Sequence, residues 1–315
     1  MGKVSQIAKE LGISAATVSR AMSRPEMVAR ATRERILDKA KELGIDVPMA
    51  RSISQGQRLL GIIVADLSNN FSAGILKSVT ELAQADGLQI LLGVTNESPT
   101  VERKIISDLN QFSLNGLIAM PTGISTVPLI ECRNVVAVDR PFMGRETKCA
   151  LINNQKVVQI AVEHLHSRGH KHIVYLSGKS SLYTFKERLA AAQSYDNVEC
   201  IELDALEYND LYTKAFEIAN IMLTRHSNRP TAILTANNAI TSGVAYALSL
   251  RNVPMPKDMA LVSIGDPEWC RFFPTPVTTV KLPEEELGSL AYEMLKRNDH
   301  RVRFIEPMLL PRASS

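Results

Sequence analysis

The stretch VSQIAKELGISAATVSRAM, residues 4–22, predicts two short helices joined by a tight turn. Apolar side chains recur at helical spacing on both sides of a central glycine, at Ile7, Ala8, Leu11, Val18 and Met22. Gly12 and Ile13 supply the turn, and the Ser14 hydroxyl can accept a hydrogen bond from a free amide in the first turn of the second helix. This pattern is that of a helix-turn-helix.

The outer face of the second helix carries small, hydroxyl-bearing or cationic side chains, namely Ala15, Ala16, Thr17, Ser19 and Arg20. Such groups can enter a DNA major groove and read base edges near the start of the helix. An ordinary helical hairpin with a structural role would show the same apolar pattern. The charge distribution favours the DNA-binding interpretation. Residues 1–58 carry 11 Lys and Arg against 6 Asp and Glu, whereas the remainder carries 25 against 27, so the excess of positive charge that would attract phosphates lies in the N-terminal segment.

The bulk properties of the 315-residue chain are those of a globular protein with more than one domain. Four widely spaced cysteines, with no CxxC pair, predict free thiols in a reducing compartment: Cys132, Cys149, Cys200 and Cys270. No signal peptide is recognised, and the longest apolar run, residues 59–65, is too short to span a membrane. A cytoplasmic protein without membrane contact is therefore expected.

The chain changes character twice along its length. A third helix is predicted over RERILDKAKELG, with Thr32 as its N-cap, which completes a helix-turn-helix domain over residues 1–45. Residues 46–58 are predicted to form a hinge or linker. Beyond it, amphipathic helices alternate with apolar strands over residues 59–65, 88–94, 116–121, 134–139, 172–178, 198–203, 231–236 and 259–265. Near-continuous apolar strands predict two parallel sheets, each covered by helices on both faces.

Polar side chains follow these strands at the positions where open parallel sheets bind ligands. They are Asp66, Ser68, Asn69, Asp139, Arg140, Arg188, Asn237, Asn238 and Asp266, accompanied by Phe71. Carboxylate, amide and guanidinium groups beside an aromatic ring suit a sugar or a similar polyol, and arginine also suits a carboxylate or phosphate. Each residue taken alone also fits a solvated loop, and their recurrence at successive strand ends favours a ligand site.

Enzymatic activity finds no support in the sequence. Four histidines resemble a metal cluster, although they fit a helix end and the following turn better: His164, His166, His170 and His172. The sequence contains no GxSxG motif, Walker loop or glycine-rich dinucleotide turn. We therefore expect a protein that is not an enzyme and that uses no metal or cofactor.

Several motifs, in the same order, resemble those of the LacI/GalR family of bacterial transcriptional repressors along nearly the whole chain. Residues 4–44 resemble the family's DNA-binding segment, ARSI (residues 50–53) its hinge-helix motif, and LLGIIVADLSNNF (residues 59–71) the start of its effector domain. Further similar stretches are EHLHSRGHKHIVYLSG, ERLAAA, TAILTANN, PTPVTTV and LLPRASS. The resemblance implies an N-terminal all-α helix-turn-helix domain and an α/β periplasmic-binding-protein-like effector domain with two doubly wound parallel-sheet subdomains.

The resemblance also implies roles for single residues. The DNA-binding set would be Ser14, Ala15, Ala16, Thr17, Ser19, Arg20 and Ile53. Within it, Arg20 would donate two hydrogen bonds to a guanine edge, and Ile53 would wedge open a base step in the minor groove. The effector-binding set would be Phe71, Asp139, Arg188, Tyr208, Asn237 and Asp266.

Three departures from the family pattern accompany this resemblance. The hinge is shorter than usual, lacks the Tyr-x-Pro-Asn run, and has Ile53 where a leucine is common. The family's Arg-Leu-x-Gly-Phe is RLAAA here, at residues 188–192. SIGDPEW, residues 263–269, lacks the common pair of adjacent acids and looks more like the variant in relatives that sense sugar acids or sugar phosphates.

Together these features predict a ligand-responsive DNA-binding regulator, a repressor of carbohydrate-utilisation genes. A sugar, sugar acid or sugar phosphate would modulate its affinity for double-stranded operator DNA, which a homodimer or a tetramer would bind. The effector-binding and dimerisation domain would cover residues 59–315, with an N-subdomain over about 59–153 plus the C-terminal strands and a C-subdomain over about 154–281. The alternative is a cytoplasmic sugar-binding sensor that does not bind operator DNA.

Overall fold

The computed structural model describes residues 3–23, 27–45, 58–123, 130–143, 148–224 and 229–315. The chain divides into two compact units, residues 1–57 and residues 58–315. The hinge-helix residues, among them Ile53, lie outside the described residues. Of the residues described, no helix is both long and apolar enough to cross a membrane.

The first unit contains three helices, α1 (Lys3–Leu11), α2 (Ala15–Ser23) and α3 (Arg30–Glu42). Gly12 takes a positive φ of 64° in the turn, and the Ser14 hydroxyl accepts a hydrogen bond of 3.0 Å from the Thr17 amide. The predicted turn and N-cap of α2 are therefore present. The buried side chains that pack the helices together are Ile7, Ala8, Val18, Ala21, Ile36 and Ala40.

The third helix begins earlier than predicted. Its first residue is Arg30, and the carbonyl of Ala29 accepts hydrogen bonds from the amides of Thr32 and Arg33, both at 3.0 Å. Thr32 therefore lies inside α3, and the prediction that it caps the helix is wrong. Ala29, with a ψ of 138°, is the N-cap residue of α3, and no side-chain hydrogen bond caps this end of the helix.

The second unit is an α/β structure with twelve strands and eight helices among its described residues. In chain order they are β1 (Leu59–Val64), α4 (Asn70–Ala85), β2 (Gln89–Val94), α5 (Pro99–Leu109), β3 (Leu114–Ala119), β4 (Val135–Val138), β5 (Lys148–Ile152), α6 (Asn154–Ser167), β6 (Ile173–Ser177), α7 (Tyr183–Gln193), β7 (Val198–Glu202), α8 (Tyr208–Leu223), β8 (Ala232–Thr235), α9 (Asn238–Leu250), β9 (Ala260–Ile264), α10 (Trp269–Phe272), β10 (Thr278–Lys281), α11 (Glu284–Arg297), β11 (Val302–Ile305) and β12 (Met308–Leu310).

These strands form two six-stranded sheets. The N-subdomain has the order β11-β5-β4-β3-β1-β2 with α4, α5 and α11, and the C-subdomain has the order β12-β10-β9-β8-β6-β7 with α6 to α10. All neighbouring strands are parallel except β12, which runs antiparallel to β10. The central strands β1, β5, β6, β8 and β9 are buried along their whole length, which explains their continuous apolar sequences. The predicted fold class is confirmed.

The chain passes between the two subdomains three times, after β5, after β10 and after β11. The last two strands therefore separate: β11 completes the sheet of the N-subdomain, whereas β12 joins the sheet of the C-subdomain. The sequence-based expectation had both C-terminal strands in the N-subdomain. Helix α11 also belongs to the N-subdomain, where it packs against α4 and the sheet.

Candidate functional site

A cavity with about 680 Å³ of empty space, partly open to solvent, lies between the two subdomains. It lies beyond the carboxyl ends of the strands, as expected for open parallel sheets. Its lining comprises Ala65, Asp66, Asn69, Phe71, Ser72, Glu97, Met120, Asp139, Arg140, Leu182, Thr184, Phe185, Arg188, Leu206, Tyr208, Leu211, Asn237, Asn238, Ile264, Gly265 and Leu282.

Acidic and basic side chains alternate in the cavity wall. Glu97, beyond the end of β2, forms an ion pair of 2.8 Å with the Nη2 group of Arg140, beyond the end of β4. Burial raises the pKa of Glu97 against the lowering effect of the Arg140 charge. Burial likewise raises the pKa of Asp139, and the guanidinium groups of Arg140 and Arg188 act in the opposite direction. The cavity wall therefore offers donors and acceptors that the surrounding protein holds in place.

Arg188, on α7, is fixed by the C-subdomain. Its Nε donates a hydrogen bond of 2.7 Å to Asn154 Oδ1, and its Nη1 donates one of 2.7 Å to the carbonyl of Ala236. Burial lowers the pKa of Arg188, and the charge of Asp139 opposes this effect. The guanidinium of the C-subdomain thus faces the same cavity as the carboxylate of the N-subdomain, and a hydroxylated ligand between them can contact both.

A hydrogen bond joins the two subdomains at the cavity itself. Asn238 Nδ2 donates to Asn69 Oδ1 at 2.9 Å, and the same Asn69 oxygen accepts from the Phe71 amide at 3.1 Å as the N-cap of α4. The Oδ1 atom of Asn238 is buried and has no hydrogen-bond partner. This amide pair therefore ties the start of α9 to the start of α4 across the cavity.

Five of the six residues in the predicted effector-binding set line the cavity: Phe71, Asp139, Arg188, Tyr208 and Asn237. The structure does not bring Asp266 to it. The side chain of Asp266 is 3% exposed and receives two hydrogen bonds from Arg312, of 2.7 Å to Oδ1 and 3.0 Å to Oδ2. Although burial raises the pKa of a carboxyl group, the Arg312 guanidinium holds the pKa of Asp266 below its usual value.

The turn after β9 explains where Asp266 lies. The strand ends at Ile264, and of the next two residues Gly265 lines the cavity while Asp266 contacts Arg312. Gly265 also has a positive φ of 98°, and a side chain at this position would collide with Asn238. Asn238 therefore occupies the space that a carboxylate at position 265 would need.

Sequence reasoning did not select Glu97 as a ligand-binding residue. The signal was available, because Glu97 comes three residues after the end of β2, at the same sheet edge as Asp66 and Asp139. The apolar part of the wall was also missed. Besides the predicted Phe71, it includes Leu182 and Leu206, before helices α7 and α8, and Leu282, after strand β10, and their sequence context resembles ordinary core.

The predicted DNA-reading residues lie on α2 and at its N-terminus. Ser14, Ala15, Ala16, Ser19 and Arg20 are exposed, and Thr17 is half-buried beside Ser14. The Ser14 and Thr17 hydroxyls are 2.8 Å apart, so these two side chains stabilise the start of the helix as well as bordering its exposed face. Small alanines followed by an arginine leave a helix surface that DNA can approach closely.

The four clustered histidines have protein partners instead of a shared metal site. Each histidine has one ring nitrogen within hydrogen-bond distance of a side-chain oxygen. The distances are 2.9 Å from His164 Nε2 to Ser315 Oγ, 3.1 Å from His166 Nε2 to Asn197 Oδ1, 3.0 Å from His170 Nδ1 to Thr231 Oγ1 and 3.2 Å from His172 Nε2 to Glu199 Oε2. Within the described ranges, no three His, Cys, Asp or Glu side chains are grouped so as to hold a metal ion.

Comparison with known proteins matches both units of the chain. The model of the bacterial regulatory proteins of the lacI family matches residues 3–45, and that of the periplasmic binding protein-like domain matches residues 162–315. A curated relative, described as the probable HTH-type transcriptional regulator EndR of Paenibacillus polymyxa, is 26% identical over 316 residues. That match covers 94% of this chain and 92% of EndR.

Two solved structures have the same fold. The Lac repressor bound to ONPG has a TM-score of 0.71 at 20% identity, over 98% of each chain. A periplasmic binding protein/LacI transcriptional regulator from Alkaliphilus metalliredigens, complexed with D-xylulofuranose, has a TM-score of 0.70 at 18% identity, over 82% of this chain and 99% of that one. The description of the curated relative as a transcriptional regulator agrees with the regulatory function expected from sequence. With a lacI-family DNA-binding domain ahead of a periplasmic binding protein-like domain, this chain belongs to the LacI/GalR family of DNA-binding bacterial transcriptional regulators.

Proposed function

We propose that this protein is a repressor of carbohydrate-utilisation genes whose affinity for its operator changes when a small polyhydroxylated effector binds in the cavity between the subdomains. The observation that carries the proposal is the convergence of Asp139 from one subdomain and Arg188 from the other on that cavity. A sugar placed there would contact both subdomains at once. The D-xylulofuranose complex of the Alkaliphilus metalliredigens relative supports a sugar as the class of ligand.

Effector binding would act on the relative orientation of the two subdomains. Three chain connections and the Asn69–Asn238 hydrogen bond join them, so a ligand that prefers one orientation shifts the population toward it. Coupling of this kind typically changes affinity at a second site by about 1–3 kcal/mol. A homodimer would present two helix-turn-helix units to the two halves of a near-palindromic operator in the cytoplasm.

The test begins with selection of operator sequences by the full-length protein from a random duplex library. Enrichment of a near-palindromic sequence is the expected result, and its affinity is then measured by fluorescence anisotropy with and without candidate sugars. The Arg20→Ala variant should lose about 1–3 kcal/mol and relax base choice at one position of each half-site. Failure to enrich any sequence would instead favour a sugar sensor that does not bind an operator.

The Arg188→Ala variant separates sensing from DNA binding. It removes a guanidinium from the cavity wall and leaves the helix-turn-helix unit unchanged, so operator affinity without effector should equal that of the wild type. Its response to the effector should be lost. A variant that still responds would place the effector site elsewhere in the protein.

A further inference from the structure

Glu97 and Arg140 form a second polar pair in the cavity wall, in addition to Asp139 and Arg188. The side chains of Glu97 and Arg140 are only 12% and 3% exposed, and one hydrogen bond of 2.8 Å joins Glu97 Oε1 to Arg140 Nη2. Both residues belong to the N-subdomain and both line the cavity. The two residues lie in loops that follow β2 and β4 of one sheet, with β1 and β3 between these strands.

The backbone at this pair is unusual. Among the described residues, only five other than glycine have a positive φ, and two of them are Glu97 at 57° and Asp139 at 69°. Non-glycine residues hold such conformations where the surrounding structure fixes them, commonly at ligand sites. Asp139 immediately precedes Arg140, so both members of the pair are positioned by left-handed residues at the cavity.

Each member of the pair has a buried polar atom without a partner. Glu97 Oε2 and Arg140 Nε are buried, and neither makes a hydrogen bond within the protein. Buried polar atoms are nearly always hydrogen-bonded, and exceptions call for a specific explanation. An acceptor on Glu97 and a donor on Arg140, on adjacent side chains, match two neighbouring hydroxyl groups, because a hydroxyl both donates and accepts.

The charges of the lining argue against an anionic ligand. Three carboxylates, Asp66, Glu97 and Asp139, face two guanidinium groups, Arg140 and Arg188, so the formal charge of these lining residues is −1. Arg140 is already paired with Glu97. Two of the three nitrogens of Arg188 are bonded to Asn154 and Ala236. A phosphate or carboxylate would therefore meet more like charge than free cation.

We infer that Glu97 and Arg140 bind two adjacent hydroxyls of an uncharged carbohydrate, and that the effector is a neutral sugar or sugar alcohol instead of a sugar acid or sugar phosphate. This inference rests on the proposed function, because it assigns the ligand class of the same cavity. It differs from the sequence-based expectation, which left the three classes open.

The experiment measures binding to the full-length protein by isothermal titration calorimetry. The probes are neutral pentoses, hexoses and sugar alcohols, each paired with its own aldonic acid and its own phosphate monoester. At least one neutral member should bind, with its acid and phosphate at least about 10-fold weaker, as expected for the loss or misplacement of hydrogen bonds to charged groups. Tighter binding of the acid or phosphate than of the matched neutral compound would overturn the inference.

Variants then connect this selectivity to the pair. Glu97→Gln keeps the size of the side chain and removes its charge. The affinity of the variant for the neutral ligand should fall about 10-fold, and the ratio of its affinities for the neutral ligand and for the anionic counterpart should become smaller. Glu285→Gln is the matched control, because Glu285 forms an exposed ion pair of 2.8 Å with Lys77 in the same subdomain. The Glu285→Gln protein should bind the neutral ligand and its anionic counterpart as tightly as the wild type does. Unchanged selectivity in a folded Glu97→Gln protein would refute the role of the pair.

Deoxy analogues keep the test independent of folding of the variants. Removing one hydroxyl at a time from the best neutral ligand should identify two adjacent positions that each cost about 10-fold on the wild-type protein. In a folded Glu97→Gln protein the cost at one of these positions should fall below about 2-fold. If every single deletion is tolerated by the wild type, the inference is wrong. If no carbohydrate of any class binds, the proposed sensing function itself fails.

Discussion

Replacing Arg312 by methionine should destabilise the C-subdomain while leaving the effector cavity intact. Arg312 donates a hydrogen bond from Nη1 to Asp266 Oδ1 and another from Nη2 to Asp266 Oδ2. Its Nη1 also donates a hydrogen bond of 2.7 Å to the carbonyl of Val277. Methionine fills much of the same space but donates nothing. The variant therefore leaves the Asp266 carboxylate, 3% exposed, without its main partner.

The expected loss follows from the burial of the pair. Removing one member of a buried ion pair typically costs about 3–5 kcal/mol. Arg312 is 16% exposed, and Asp266 keeps weaker partners in Thr279 at 3.1 Å and Arg271 at 3.3 Å. The lower end, about 3 kcal/mol of the free energy of unfolding at pH 7, is therefore expected.

The pH dependence of this loss has a definite sign. In the wild type the pKa of Asp266 is lowered on folding, so its contribution is present above the unfolded pKa and is lost as the pH falls through the folded pKa. In the variant, burial without Arg312 raises the pKa of Asp266, and protonation relieves the penalty. The difference between the two proteins should therefore be largest at neutral pH, begin to shrink as the pH falls through the raised pKa of Asp266 in the variant, and continue to shrink down to its lowered pKa in the wild type.

Urea unfolding followed by the fluorescence of Trp269, the single tryptophan of the chain, provides the assay. Trp269 lies on α10 and packs edge-to-face on Phe273 at 5.6 Å, close in sequence to Asp266. The double variant Asp266→Asn, Arg312→Met should recover most of the loss, and Lys77→Met, which breaks an exposed pair, should cost less than about 1 kcal/mol. A loss in Arg312→Met no larger than that of Lys77→Met, or loss of effector binding by the folded variant, would refute the structural role assigned to Asp266.

Three smaller perturbations test other parts of the structure. Ser14→Ala removes the side-chain acceptor of the Thr17 amide, which keeps the Ser14 carbonyl at 3.0 Å, and should lower the stability of the helix-turn-helix unit by about 0.5 kcal/mol, seen as weaker helicity below the main thermal transition by circular dichroism. Gly288→Val places a side chain where a Cβ would already lie 2.7 Å from the Ile75 carbonyl oxygen, and should cost about 1–3 kcal/mol in urea unfolding; an unchanged midpoint would contradict the close packing of α4 and α11. Asn238→Ala removes the hydrogen bond across the cavity and should weaken effector binding by about 1 kcal/mol in calorimetry, whereas tighter binding would show that this bond opposes the bound state.

The sequence predicted most where local chemistry decides the structure. Gly12 and Ser14 specify the turn and the start of α2 by their own backbone and hydroxyl, and continuous apolar runs specify the buried strands. The start of α3 was misplaced because Thr32 has the right chemistry for a cap, although the helix already begins at Arg30. Capping preferences are worth too little to fix a boundary against tertiary packing.

How well the position of a predicted site residue could be inferred depended on the range of the interactions that place it. Asp139 and Arg188 could be placed from the ends of their strands and the family pattern. Whether Gly265 or Asp266 faces the cavity depends on the positive φ of Gly265 and on Arg312, which is 46 residues away from Asp266 along the chain. No local pattern reveals that partner. The separation of β11 from β12 was missed for the same reason, because only pairing with distant strands distinguishes them.

The three passages of the chain between the subdomains also affect how the protein is made. The N-subdomain begins with β1, but α11 and β11 reach its sheet only after α6 to β10 of the C-subdomain have been synthesised. Asn134, in the portion of the N-subdomain that is synthesised first, donates a hydrogen bond of 3.1 Å to the carbonyl of Leu295 on α11. Contacts within the N-subdomain therefore join residues that are 161 positions apart along the chain. During translation the edge of β5 stays unpaired until Val302–Ile305 leave the ribosome. The nascent chain therefore exposes an apolar strand edge from the synthesis of Ile152 until that of Ile305, the condition under which aggregation competes with folding and chaperones bind.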